Sequence, residues 1–230
     1  MADRPIIFSA PMVLALLAGR KTQTRRLVKG RALEWLDQHG FSPGYVADPG
    51  NAGLLPYSVG DRLWVREAWR ISADVAQAWP PGGPCVGWLD MQAGGQFEVA
   101  APSVEAAERA GRVKDWDFIS SAWRPSIHMP RWASRLTLLV TQVRVQRLQE
   151  ISEEDVVAEG ILPQAAENGH VTWHVPGVVC GQSPVRAFRV IWDILHGDGA
   201  WDANPWVVAL NFQVQPRNID AALTEPAHAG

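Results

Sequence analysis

Residues 131–149, RWASRLTLLVTQVRVQRLQ, hold the clearest alternating pattern in the chain. Leu136, Leu138 and Val140 alternate with Thr137, Leu139 and Thr141, and Val143 and Val145 alternate with Arg144 and Gln146. Side chains two apart share one face of a strand. The stretch therefore predicts one long bent strand, or two strands joined at a bulge. A helix follows. Ser152 is its cap, Glu153 and Glu154 place negative charge in the first turn, and Gly160 stops it.

Working outward, Pro11 and Gly19 bracket a short helix carrying Leu14 and Leu17. The segment after it, residues 21–28, ends strand-like, and Tyr57-Ser58-Val59-Gly60-Asp61 is a turn leading into a short strand. Downstream, Ser183-Pro184 opens a helix with Val185, Phe188, Ile191, Trp192 and Leu195 as its apolar stripe, stopped at Gly197. Residues 206–214 form the last strand. Strands and helices do not alternate regularly, which argues against a doubly wound parallel sheet. The expected class is α+β, a small mixed or antiparallel barrel with flanking helices. Clusters of Gly and Pro mark about 30–56, 71–122 and 163–182 as loop insertions in a single domain spanning 1–215, with a helical turn near 105–110. Residues 216–230 read as a flexible tail.

Composition narrows the class of function. The chain has 230 residues, a formal net charge of −3, 47% hydrophobic and 20% charged residues, which excludes wholesale disorder. No apolar run reaches the roughly 18 residues of a membrane span, so no membrane partner is expected. Pro5 and Pro11 interrupt the apolar N-terminal stretch, which reads without a signal peptide. Cys85 and Cys180 are the sole cysteines, which argues against a disulfide framework and for a cytoplasmic setting. The basic residues are clustered: residues 1–30 and 112–147 each carry a balance of +5. Two such segments in a mildly acidic chain point to local anion sites. The 12 Trp can fill a core or stack on bases.

Phosphate-loop, dinucleotide, HExxH and CxxC signatures are absent from the sequence. His170 and His174 are four apart, but Gly169 and Pro176 flank them, and no metal is expected there. The densest chemistry lies in Gly19-Arg20-Lys21-Thr22-Gln23-Thr24-Arg25-Arg26. It reads either as a basic solvent face on an edge strand or as a Lys and a Thr poised together. Thr is a weak nucleophile and needs a base. Burial and neighbouring cations are what would make Lys21 one. In a regular strand, positions 21 and 24 face opposite sides, so their cooperation requires a turn or bulge between them. A second constellation holds His128, Arg131, Trp132 and Ser134, where Arg and Ser suit phosphate and Trp suits stacking. A third is Trp201-Asp202-Ala203-Asn204-Pro205-Trp206, either a stacking clamp or a cap on the barrel end.

These residues carry a resemblance to the ASCH domain family of the PUA-like superfamily. The matching pieces are Gly19-Arg20-Lys21-Thr22 with Thr24 and Arg26, Gly60-Asp61 leading into Leu63 and Val65, the strand 136–147, the helix from Ile151-Ser152-Glu153-Glu154 to Glu159-Gly160, and the strand 206–214. The longer pattern resembles bacterial and phage or prophage members. The resemblance implies a small β-barrel and a nucleoside, single-stranded RNA or modified base as partner. One branch of the family removes the acetyl group from N4-acetylcytidine with a Lys, a Thr and a Glu and no cofactor, and these match Lys21, Thr24 and Glu159. The resemblance then implies Thr24 as nucleophile and Lys21 and Glu159 as an acid–base pair, either of them the base. Arg20, Arg26, Arg131, Trp132 and Ser134 become substrate contacts. A non-catalytic reader of RNA or modified bases and a metal-independent ribonuclease, with His128 as its acid or base, are the alternatives.

Overall fold

The computed structural model describes residues 1–51, 53–72, 77–78, 85–102, 106, 109–110, 122–165, 171–175, 178–179 and 183–221. In chain order its first elements are β1 (Asp3–Ile7), α1 (Ala10–Leu17), β2 (Gln23–Leu27), α2 (Arg31–Asp37), α3 (Pro43–Ala47) and β3 (Arg62–Arg66). A run of strands follows: β4 (Trp69–Ile71), β5 (Gln77–Ala78), β6 (Cys85–Met91), β7 (Gln96–Ala101) and β8 (Thr137–Arg147). The chain continues through α4 (Glu153–Ala158), β9 (Pro163–Ala165), β10 (Val171–Val175), β11 (Val178–Val179), α5 (Pro184–His196) and β12 (Trp206–Gln215). The class is α+β with both parallel and antiparallel pairing, and among the described residues the strand pairings do not close a barrel. No described helix is long and apolar enough to cross a membrane.

Two compact units make up the chain. The first comprises Met1–Ala2, Leu14–Asp61 and Leu139–Val214. Its strands run in the order β8-β12-β2. β12 and β2 are antiparallel, with Gln23 opposite Asn211 and Thr24 opposite Leu210. α4 starts as its sequence dictates: the Ser152 hydroxyl accepts from the Asp155 amide at 3.1 Å. α5 has Ser183 accepting from the Arg186 amide, Pro184 in its first turn and Gly197 at φ 100° after its last residue. Phe188 and Trp192 of its stripe meet α4 in a core of Leu148, Ile151, Val156, Ile161, Ala187, Phe188, Trp192, Trp201 and Val207, with Val185 and Ile191 packed against it, whereas Leu195, expected in the stripe, is exposed. Trp201 is therefore a core residue of this unit. Trp206 instead lies against Arg147, whose guanidinium sits 4.0 Å from the ring centre.

The second unit comprises Asp3–Val13, Arg62–Leu138 and Gln215–Gly230. β1 and β3 pair in parallel, from Asp3 opposite Arg62 to Ile7 opposite Arg66. β4, β6 and β5 form an antiparallel sheet with β7 on β6. Its core is Trp69, Ile71, Leu89, Met91, Met129 and Ala133, with Trp132 partly buried against it. Beside it stands a buried ion pair: Arg135 donates Nε and Nη2 to the two carboxylate oxygens of Glu67 at 2.8 and 2.9 Å, and Nη1 to the Gly94 carbonyl at 3.1 Å.

Several expectations are corrected. The stretch 30–56 is not mostly loop, because α2 and α3 lie in it, with the Ser42 hydroxyl capping α3 at Tyr45. The stretch 71–122, expected as loop, supplies β5, β6, β7 and the end of β4. The stretch 163–182 holds β9, β10 and β11, paired antiparallel. Residues 131–135 are not strand; a 3-10 turn, Arg131–Ala133, precedes β8. The tail is tied down as far as it is described. Ile219 is buried, and the Asn218 amide donates to the carbonyls of Arg131, Trp132 and Ser134. The helical turn near 105–110 falls largely outside the described residues.

Arg135→Met leaves the Glu67 carboxylate buried without its fork. We expect a loss of about 3–5 kcal/mol in urea unfolding, with most of it recovered when Glu67→Leu is added.

Candidate functional site

The site is built in the first unit where α1 turns into β2. Gly19 takes a positive φ of 68°, and the amides of Arg20 and Lys21 both donate to the Ala15 carbonyl, at 2.9 and 3.1 Å. The chain then threads between α4 and β12: the Thr22 amide donates to the Ala158 carbonyl, and the Thr22 carbonyl accepts from the Phe212 amide. Lys21 is thereby placed before the strand begins. The alternation that would send residues 21 and 24 to opposite faces does not govern it.

Lys21 is 1% exposed. Its Nζ donates to Glu159 Oε2 at 2.6 Å and to the Glu159 main-chain oxygen at 3.0 Å. Glu159 caps the C-terminus of α4, and its other carboxylate oxygen receives Arg25 Nη1 at 3.2 Å. One helical turn earlier stands Asp155. Gln23 Nε2 and Arg144 Nη2 donate to its Oδ1 at 2.9 and 2.8 Å, and Arg25 Nη2 donates to its Oδ2. Gln23 also reaches Asn211 Oδ1 at 3.0 Å, and Phe188 lies against the Arg25 guanidinium. Three cations and two carboxylates thus share one network, in which Lys21 and Arg25 are buried and Arg144 is partly exposed. Gln23 and Arg25 use one face of β2; Thr24 and Arg26, two apart, use the other. Thr24 is 1% exposed, and its Oγ1 accepts from Arg26 Nη1 at 2.9 Å.

The electrostatics follow from burial. Burial pushes the Lys21 ammonium below its ordinary range; Glu159 opposes this, and the charges of Arg26 and Arg25 add to it. Burial pushes the Asp155 carboxyl up, but hydrogen bonds from Gln23 and Arg144 and the charges of Arg25 and Arg144 outweigh it and hold the group low. Burial also lowers Arg26, against the pull of Tyr57 and Glu159. Arg26 is thus coupled electrostatically to both members of the Lys21–Glu159 pair. His196, its ring tilted against Trp192 with centres 4.1 Å apart, titrates below its usual value through partial burial and the charges of Arg26 and Lys29.

Of the residues expected from the sequence, the structure joins Lys21 to Glu159 directly and Thr24 to Arg26. Arg20 is exposed. Arg131, Trp132 and Ser134 belong to the second unit and have structural partners there. Arg131 pairs with Asp3 and Asp220, Trp132 packs edge-on to Trp69, and the buried Ser134 hydroxyl lies 2.8 Å from the Val65 carbonyl. His128 is exposed in that same unit. His170 and the His174 side chain lie outside the described residues. Among the described residues no group of three or more His, Cys, Asp or Glu is placed to hold a metal ion. The sequence reading missed Gln23, Asp155, Arg144 and Asn211. A signal was present: Asp155 and Glu159 are four apart, hence on one helix face, and Gln23 and Arg25 are two apart on a strand.

No protein-family model, curated protein or solved structure matches the chain.

Two outcomes test this geometry. A Cβ at Gly160, where φ is +95°, would meet the Cβ atoms of Ala15 and Lys21, each at 3.1 Å. Gly160→Ala should cost about 1–3 kcal/mol in urea unfolding. Lys29→Ala removes a cation that opposes protonation of His196, so the His196 ring titration, followed by NMR, should move to higher pH.

Proposed function

We propose that the chain is a hydrolase of the ASCH type, built on the PUA-like barrel that its sequence resemblance implies, and that it cleaves the amide of an N-acylated nucleoside such as N4-acetylcytidine. The observation that supports this reading best is the buried Lys21–Glu159 pair, 2.6 Å apart, three residues ahead of a buried Thr24 whose hydroxyl is already engaged by a cation. A lysine whose proton affinity is lowered by burial is suited to act as a base. This reading requires Lys21 Nζ and Thr24 Oγ1 to come within hydrogen-bond reach, directly or through one water, so that Lys21 takes the Thr24 proton and Glu159 receives the resulting ammonium on its carboxylate and main-chain oxygens. Arg25 and Asp155 fix the direction of Glu159. Such groups act more strongly where water is excluded, and Lys21 and Thr24 are each 1% exposed. Substrate must then displace the surface over Thr24 to reach it.

A second reading, non-catalytic binding of single-stranded RNA or a modified base, is favoured by a surface feature of the same unit. Trp35, Phe41 and Tyr45 stack with ring centres 4.7–6.1 Å apart, Phe41 and Tyr45 are exposed, and Arg31 lies over Trp35.

The deciding experiment incubates the purified chain with N4-acetylcytidine and follows cytidine and acetate by mass spectrometry. We expect turnover by the native chain and a loss of at least about 100-fold in Thr24→Ala and in Glu159→Gln. No acetate release at high enzyme concentration would remove the hydrolase reading, and binding of labelled single-stranded RNA would then test the second.

A further inference from the structure

The contact between Thr24 and Arg26 has a chemical meaning of its own. Arg26 Nη1 lies 2.9 Å from Thr24 Oγ1 and 3.0 Å from the Arg25 main-chain oxygen. A guanidinium offers donors and no acceptor. The Thr24 hydroxyl is therefore the acceptor, and its own proton is directed elsewhere. The two residues sit two apart on one face of β2, the terminal strand of the order β8-β12-β2. The strand geometry holds the cation against that oxygen without help from a substrate. A simple substrate-binding arginine would instead be expected to point its fork at the substrate.

From this geometry we infer that Arg26 is a catalytic residue, donating to the Thr24 oxygen as its proton leaves and to the substrate's carbonyl oxygen as negative charge arrives there. The inference rests on the hydrolase reading and goes beyond the substrate contact first expected of Arg26. The step balances as follows. The Lys21 ammonium first gives its proton to solvent; its Nζ lone pair then takes the Thr24 hydroxyl proton, the Oγ1 electron pair forms a bond to the amide carbon, and the carbonyl π pair moves onto its oxygen. Collapse of that oxyanion breaks the C–N bond, and the departing nitrogen takes the proton that Lys21 holds. Water then cleaves the acyl-threonine ester, which returns a proton to Oγ1 and releases the carboxylic acid. Arg26 gains and loses no proton throughout. Its N–H donors are fixed before the charge develops, which is the condition under which such donors act most strongly.

The alternatives predict different kinetics. An arginine that only binds substrate raises KM and leaves kcat alone, whereas one that acts in the transition state lowers kcat. The test compares the native chain with Arg26→Met, Arg26→Lys and Thr24→Ala, all full length, on N4-acetylcytidine. Thermal unfolding is recorded alongside. For Arg26→Met we expect kcat to fall about 100-fold with KM changed less than about threefold. Arg26→Lys restores about tenfold of that loss, since charge returns without the planar fork.

A pH profile adds a readout that a structural role would not move. Burial is the main force lowering Lys21, Glu159 opposes it, and the Arg26 charge adds to it. Removing that cation lets Lys21 keep its proton to higher pH. The rising limb of kcat/KM should then shift upward in Arg26→Met and stay in place in Arg26→Lys. Should Arg26→Met fail to fold, Arg26→Lys carries the test: kcat reduced about tenfold at constant KM supports the inference, and native kcat overturns it. Turnover by the native chain, none by Thr24→Ala, and native kcat in the Arg26 variants would overturn this inference alone. No turnover by the native chain would overturn it together with the hydrolase reading.

Discussion

Lys21 and Arg25 carry positive charge into the interior of the first unit, and neither could stand there without the two carboxylates of α4. A buried charge left unpaired costs several kcal/mol, so the surrounding chain is organised to prevent it. Asp155 and Glu159 stand one helical turn apart and together offer four oxygens to the end of α1 and to β2. The Ser152 cap fixes where that helix starts, and Gly160 lets the chain leave it without striking Ala15 or Lys21. The Thr22 main chain ties the same segment to α4 and β12. Local rules at each step serve one requirement, the pairing of buried charge.

The second unit meets the same requirement differently. Glu67 and Arg135 form a closed fork, two parallel hydrogen bonds at 2.8 and 2.9 Å. A guanidinium stays protonated in proteins, so such a pair fixes structure and has no proton to pass on. Lysine differs: its ammonium gives up a proton once burial lowers its affinity. Two buried ion pairs of similar length thus differ in the chemistry open to them. The choice of Lys at position 21 is what makes the first one a candidate for chemistry.

Much of this was legible in the sequence. The Ser152 and Ser183 caps and the glycine stops at 160 and 197 each act locally and appear where their residues place them, and the strand expected within 131–149 forms over 137–147. That Lys21 and Glu159 meet was also readable, by motif and by helix position. The rest was not, for physical reasons. β5, β9 and β11 are two or three residues long, too short to show a period, and β5 to β7 follow or flank breaker clusters that read as loop. α2 is entered from Gly30 with no side-chain cap, so nothing in the sequence announces it. Arg131 and Ser134 suggest anion binding by residue type, but their acceptors, Asp3, Asp220 and the Val65 carbonyl, are distant in sequence. The hub at Asp155 joins positions 23, 25 and 144, and no single window contains them.

The chain path carries a consequence for how this protein can vary. Each unit is assembled from three separate stretches, with Met1–Ala2, Leu14–Asp61 and Leu139–Val214 in one and the intervening residues in the other. No contiguous gene fragment encodes either. Neither unit can be lifted into another protein by a single recombination event, and a frame-preserving deletion that removed one would sever the other. The two are bound to be inherited together, and change must come through substitutions and through growth or shrinkage of the connecting loops.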